Sequence, residues 1–176
     1  MNNMEDETMK KDLLTVALQN SVKSGSVSAL NEKTLKACEM NPKDYKDTVN
    51  ALYRAVLNGN EDMIFRVWKY LLSMLEGSHG AHVEDVDVMR RAAMSVRRKA
   101  DTIKHDDGTP DAKSMAYGSI VAPSQFRSVV EMILAYRSMG QMVTVSDNGL
   151  KVEEEKSLTR KQKMRAKEAK KKAKKA

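Results

Sequence analysis

Residues 60–77 read NEDMIFRVWKYLLSMLEG, and how that stretch is read decides the fold. Ten of the thirteen residues from Met63 to Leu75 are apolar or aromatic, including the only Trp and one of two Phe. Asp62, Arg66, Lys69, Ser73 and Glu76 recur at steps of four and three, which places them on one narrow stripe of a helix. A helix with one thin wet stripe is expected to be buried on nearly every other side. Asn60 suits its N-cap, Glu61 and Asp62 suit the positive end of its dipole, and Gly77 suits the C′ position. On this reading the other helices pack around residues 60–77.

Working outward, residues 44–58 carry Tyr45, Val49, Leu52 and Val56 on one helical face, with Gly59 as the stop. The turn Asn58-Gly59-Asn60 is so short that this helix and the next should form an antiparallel hairpin. Upstream, residues 1–7 read as a frayed start and 8–23 as an amphipathic helix. A shorter helix over about 28–39 is closed by Asn41-Pro42. Downstream, Val86, Met89, Ala93, Val96, Ala100 and Ile103 form the apolar seam of a helix over 83–104. Thr109-Pro110 predicts the start of a short helix to about Tyr117, and 123–139 is the last strong helix, stopped by Gly140. The period then changes to two. Residues 142–145 and 150–152, with Asn148-Gly149 between them, read as a β-hairpin that must lean on the helices to be stable. The predicted fold class is therefore all-α or nearly so: one compact helical domain of about six helices over 1–152, a small C-terminal hairpin, and a Lys-rich tail over 153–176.

The formal net charge of +7 is unevenly divided. Residues 156–176 hold eleven cations and one Glu: Lys156, Arg160, Lys161, Lys163, Arg165, Lys167, Lys170, Lys171, Lys172, Lys174 and Lys175. Removing them from the chain's 31 Lys/Arg and 24 Asp/Glu leaves 20 against 23, a mildly acidic body. Like charges recur at i, i+4 through the tail, each pair costing roughly 0.2–0.5 kcal/mol of helix, so it is expected to be disordered until phosphates neutralise it. A basic block on an acidic body points to an interaction arm, most often for nucleic acid. A second basic site is expected on the 83–104 helix. Arg90, Arg97 and Lys104 lie seven apart, as do Arg91, Arg98 and His105, giving two adjacent rows opposite the seam. The plainer alternative is a solvated face completing the helix dipole.

Other chemistry finds little support. His79 and His82 form H-x-x-H but lack further ligands at zinc-site spacing, and read as loop histidines. His105, Asp106, Asp107 and Asp111 lack the pattern of a calcium loop. No nucleophile elbow, P-loop, dinucleotide fingerprint or metalloprotease motif occurs, so no enzyme activity, metal or cofactor is expected. The thirteen Met residues read as adaptable core filler rather than as a partner groove. A single Cys fits a reducing compartment, and no stretch reads as a secretion signal or membrane span. The expectation is an intracellular protein, cytoplasmic, nuclear or packed in a virion.

The functional expectation is a non-enzymatic nucleic-acid-binding protein of structural or packaging type, RNA ahead of DNA. Its body would self-associate or meet a protein partner. The organisation is similar to that of many viral core and nucleoproteins in architecture, though no motif carries the likeness. Two alternatives stand beside it. One is a protein-interaction adaptor, ribosome- or polymerase-associated, with a localising tail. The other is a winged-helix regulator, with residues 110–117 and the last helix as helix–turn–helix and the hairpin as wing.

Overall fold

A computed structural model of the chain describes residues 3–24, 30–76 and 80–154. The elements are α1 (Asn3–Ser24), α2 (Glu32–Ala37), α3 (Pro42–Asn58), α4 (Glu61–Ser73), α5 (Val83–Asp101), α6 (Ala112–Ala116), a π-helical turn (Tyr117–Val121), α7 (Ala122–Ser138), β1 (Gln141–Ser146) and β2 (Gly149–Glu154). The α6–π–α7 run is continuous, so the described chain forms six helical rods and one antiparallel hairpin.

Side-chain amides start three of the helices. Asn31 accepts from Thr34 N at 2.8 Å, Asn41 from Lys43 N at 2.9 Å, and Asn60 from Met63 N at 3.3 Å. Asn41-Pro42 does not end the second helix, which stops at Ala37 with Glu39 at φ 56° and Met40 N–H on Leu35 O at 2.8 Å; Pro42 is instead the first residue of α3, where its missing N–H costs nothing. Gly59 closes α3 at φ 69°, and Asn60 N–H reaches back to Ala55 O at 3.0 Å. This cap folds α4 back onto α3, the helical hairpin that the short turn predicted.

Several boundaries differ from the sequence reading. α1 begins at Asn3 and absorbs most of the predicted frayed start, while α2 shrinks to six residues because Asn31 caps it late. α6 starts at Ala112 because the Asp111 carboxylate, a better cap than Thr109, accepts Ser114 N–H at 2.8 Å. α7 does not start afresh at Pro123. The π turn widens the helix just upstream, with Ala122 N–H bonding to Tyr117 O five residues back. That widening makes room for the proline ring, which would strike the preceding turn of a regular helix. The hairpin turn is Asp147-Asn148, with Gly149 at φ 117° opening β2, and the folded body reaches Glu154 rather than 152.

The centre of the bundle is α7, which packs against α1, α3, α5, the π turn and β1. α4 is instead a flank whose main packing partner is α3. Ile64, Trp68, Leu71 and Leu72 are buried as expected, yet Met63 and Tyr70 are 40% and 56% exposed. The thin polar stripe thus overstated how deeply α4 is enclosed, because apolar residues outside the stripe can also face water. The seam of α5 holds over its first four positions: Val86, Met89, Ala93 and Val96 are buried against the body, while Ala100 is half-buried and Ile103 lies past the end of the helix. β1 leans on α5 and α7 and buries Met142 and Val143, which gives the hairpin the support it needs. No described helix is long and apolar enough to cross a membrane.

Candidate nucleic-acid interface

The eleven cations of 156–175, together with Gly77 and His79, lie outside the described residues. The second predicted basic site can be placed. α5 ends at Asp101, so its two basic rows are shorter than predicted, and Lys104 sits beyond the helix in a β-bridge with Pro110. In the first row, Arg90 is half-buried and its guanidinium is held by Glu61 of α4 and by Asp87 one turn back. Its charge is therefore offset by two carboxylates of the body. Arg97, one heptad on, is exposed beside Tyr53, and its charge partly offsets the upward push of burial on that phenol.

The second row runs along the hairpin side of α5. Arg91 reaches Ser146 O beside the β-turn at 3.5 Å, and Arg98 Nε donates to Met94 O at 3.5 Å. Both side chains are exposed. Lys99, absent from the sequence reading, is exposed with its Nζ 5.9 Å from the centre of the Tyr117 ring. That contact forms where α6 returns along α5 and Ser114 Oγ donates to Ala100 O at 2.8 Å, an arrangement that no local spacing announces. The exposed cations of α5 are Arg91, Arg97, Arg98 and Lys99, spread over more than half of the helix circumference, with Lys104 beyond its end. Asp87 and Asp101 are also exposed on α5, so the face is mixed rather than uniformly basic.

The acidic loop after α5 is engaged in its own turns. Thr109 N–H and Oγ donate to Asp107 Oδ1 at 3.0 and 2.6 Å, which hold that carboxyl below its ordinary pKa, and Asp111 caps α6. No three His, Cys, Asp or Glu side chains converge on a metal-sized site among the described residues.

Two buried polar groups went unread in the sequence. At the start of α5, Asp85 Oδ2 accepts the Trp68 indole N–H at 2.9 Å and His82 N–H at 3.3 Å, and lies 3.6 Å from Arg137 Nε. Arg137 also donates to Gly80 O at 2.6 Å. Burial raises the Asp85 carboxyl above its ordinary pKa, with the Trp68 hydrogen bond and the Arg137 charge opposing. The second group is Tyr45, whose hydroxyl donates to Glu131 Oε1 at 3.2 Å; burial and that carboxylate push the phenol well up. Glu131 and Arg137 interrupt an otherwise apolar run on α7, which was the available signal. Both groups tie helices together; Tyr45 and Glu131 also border a cleft of about 340 Å³ between α2, α3 and α7, beside Lys46 and Arg127.

A cleft of about 540 Å³ lies where α1, the α2–α3 junction, α3 and α4 meet. Leu14, Met40, Leu71, Met74 and the exposed Tyr70 line it, with Glu39 and Asp44 as the charged groups among the described residues. The free thiol of Cys38 also lines it, buried and with its pKa raised by that burial.

The winged-helix arrangement needs a turn between residues 110–117 and the following helix. The continuous α6–π–α7 rod leaves no such turn, and Lys151, the only wing cation, is paired with Glu153 at 3.0 Å.

No family model, curated protein or solved structure matches this chain.

Proposed function

We propose that the chain binds nucleic-acid backbone electrostatically, as a non-enzymatic protein of structural or packaging type, with RNA as the favoured class. The observation that carries this reading is the charge division: eleven cations and one Glu in residues 156–176 on a body of 20 Lys/Arg and 23 Asp/Glu. Lysine matches phosphate as a point charge and reads no base. The Lys-rich segment contains no aromatic residue to stack on a base, so binding tolerates any sequence. The exposed Arg91, Arg97 and Arg98 of α5 add a smaller, fixed contact to the same backbone. Fluorescence anisotropy on unrelated RNA and DNA oligomers tests this reading, comparing the full chain with a chain ending at residue 155. Comparable affinity for unrelated sequences, lost on truncation, supports it; no binding at low salt overturns it.

A second reading, the protein-interaction adaptor, is favoured by the cleft beside α4. Its mixed lining, with flexible Met40 and Met74, exposed Tyr70 and the carboxylates of Glu39 and Asp44, suits a basic peptide better than a phosphate chain. Pull-down before and after nuclease treatment separates the two readings, because partners held through nucleic acid are lost with it.

A further inference from the structure

β2 is the open edge of a two-stranded sheet. The pairs Val143–Val152 and Val145–Leu150 stand directly opposite each other, so these four side chains share one face of the hairpin. Val143 is buried against the body, but the same face continues outward with Val145, Leu150 and Val152 exposed at 40%, 50% and 41%. Lys151 and Glu153 occupy the other face, with Nζ and Oε1 at 3.0 Å.

The main chain of β2 fixes which groups are available. With Asp147 and Asn148 in the turn, Ser146 and Gly149 close the ladder as a hydrogen-bonded pair. Alternation then assigns Thr144–Lys151 and Met142–Glu153 to the same class. The N–H and C=O groups of Leu150, Val152 and Glu154 consequently point away from β1, and no described strand pairs with them.

We propose that β2 pairs antiparallel with β2 of a second copy of this chain, across a two-fold axis at Val152, to make one four-stranded sheet. In that register Leu150 faces Glu154, Val152 faces its own copy, and Lys151 faces Glu153 on both sides of the axis. The neighbouring registers, centred on Lys151 or Glu153, put two like charges face to face, which destabilises a sheet. Charge therefore selects the Val152-centred register and disfavours arbitrary strands, the usual role of charged residues on an edge. The apolar face continues across the axis through Val152, as the row Val143–Val152–Val152–Val143, while Leu150 is flanked by Glu154 of the copy. Glu154 of each chain lies opposite Leu150 of the other. At about 3.4 Å per residue the two chains leave the sheet about 14 Å apart. Two Lys-rich segments would then start from neighbouring points and engage one polyanion together.

Sedimentation equilibrium on the full, nuclease-treated chain tests the interface independently of nucleic-acid binding. The expected result is a concentration-dependent species of twice the 19.8 kDa chain mass. Val152→Lys puts two like charges on the axis, and Lys151→Glu faces Glu153 with another acid; both are expected to be monomeric. Combining Lys151→Glu with Glu153→Lys restores opposite charges across the axis and should restore the dimer. Far-UV circular dichroism and thermal midpoints establish that each variant is folded. A wild-type chain that is monomeric at every concentration overturns the proposal. So does a folded Val152→Lys dimer, or a folded double swap that stays monomeric.

Discussion

The Trp68 indole N–H donates to Asp85 Oδ2 at 2.9 Å, tying α4 to the first turn of α5, and Arg137 of α7 approaches the same oxygen at 3.6 Å. All three side chains are fully buried. Trp68→Ala removes the largest side chain of the core and the donor at once, and should cost roughly 3–5 kcal/mol. Arg66→Ala, exposed on the same helix, should cost far less. Trp68→Phe keeps most of the volume but takes the donor from Asp85, for roughly 1–3 kcal/mol. Urea midpoints decide this, and equal midpoints for Trp68→Ala and Arg66→Ala would refute the packing described.

The raised Asp85 carboxyl has a signed consequence for stability against pH. A folded-state pKa above the unfolded value means that the native chain holds this proton more tightly. The contribution of Asp85 is therefore most favourable below its ordinary value of 3.8 and declines as pH rises through the folded-state value. Asp85→Asn cannot titrate, so the wild-type stability minus that of the variant should fall as pH rises from below 3.8 into the weakly acidic range. The constant offset from leaving Arg137 beside a neutral amide does not alter that slope. Denaturant midpoints of both proteins across this range read it directly, and a difference that grows with pH would contradict the burial-dominated shift.

Removing residues 156–176 should leave the thermal midpoint unchanged within a small electrostatic contribution. Leu158 and Met164 are the only large apolar residues in the segment, so it has little to bury. Differential scanning calorimetry of the full and truncated chains checks this. A truncated chain that is unfolded or insoluble would mean that the segment docks on the body.

Local signals were the most legible. Asn60 and Gly59 mark the α3–α4 corner because a cap is a property of two or three adjacent residues. The α5 seam and the hairpin were readable for the same reason: their periods are set by a handful of neighbouring side chains. The identity of the central helix was not. α7 carries Glu131 and Arg137 inside its buried surface, which blunts its amphipathic pattern, whereas α4 shows a clean polar stripe while leaving Tyr70 in water. Pro123 reads as a helix start, and only the π turn before it lets one rod run through. In the candidate interface, the spacing of Arg90 and Arg97 placed them on one row. What offsets the charge of Arg90 is Glu61, distant in sequence and brought near by the α3–α4 hairpin. Lys99 was missed because it lies about 100° round the helix past the second heptad row, and its partner Tyr117 arrives on another element.

That division between compensated and exposed cations sharpens the salt dependence of binding. Each phosphate neutralised releases counterions, so log K falls linearly with log salt. If about six phosphates are engaged, the slope is about −4 on single strands and about −5 on duplex DNA. Ending the chain at residue 155 should flatten this slope, because eleven of the cations leave with the tail. A residual slope is expected from α5, and the geometry assigns it. Arg98→Glu and Arg97→Glu, both exposed, should abolish it in the truncated chain, whereas Arg90→Ala should leave it unchanged because Glu61 and Asp87 already hold that guanidinium. Arg90→Ala should instead register as a small loss of stability at the α4–α5 contact, of the order of 1 kcal/mol or less for a half-exposed pair. Anisotropy titrations of one labelled single strand at several salt concentrations, on the full chain, the truncated chain and these variants, supply every slope. Tight binding that ignores both salt and truncation would exclude an electrostatic arm. A residual slope that disappears with Arg90→Ala but survives Arg98→Glu would move the body's contact to the first row of α5.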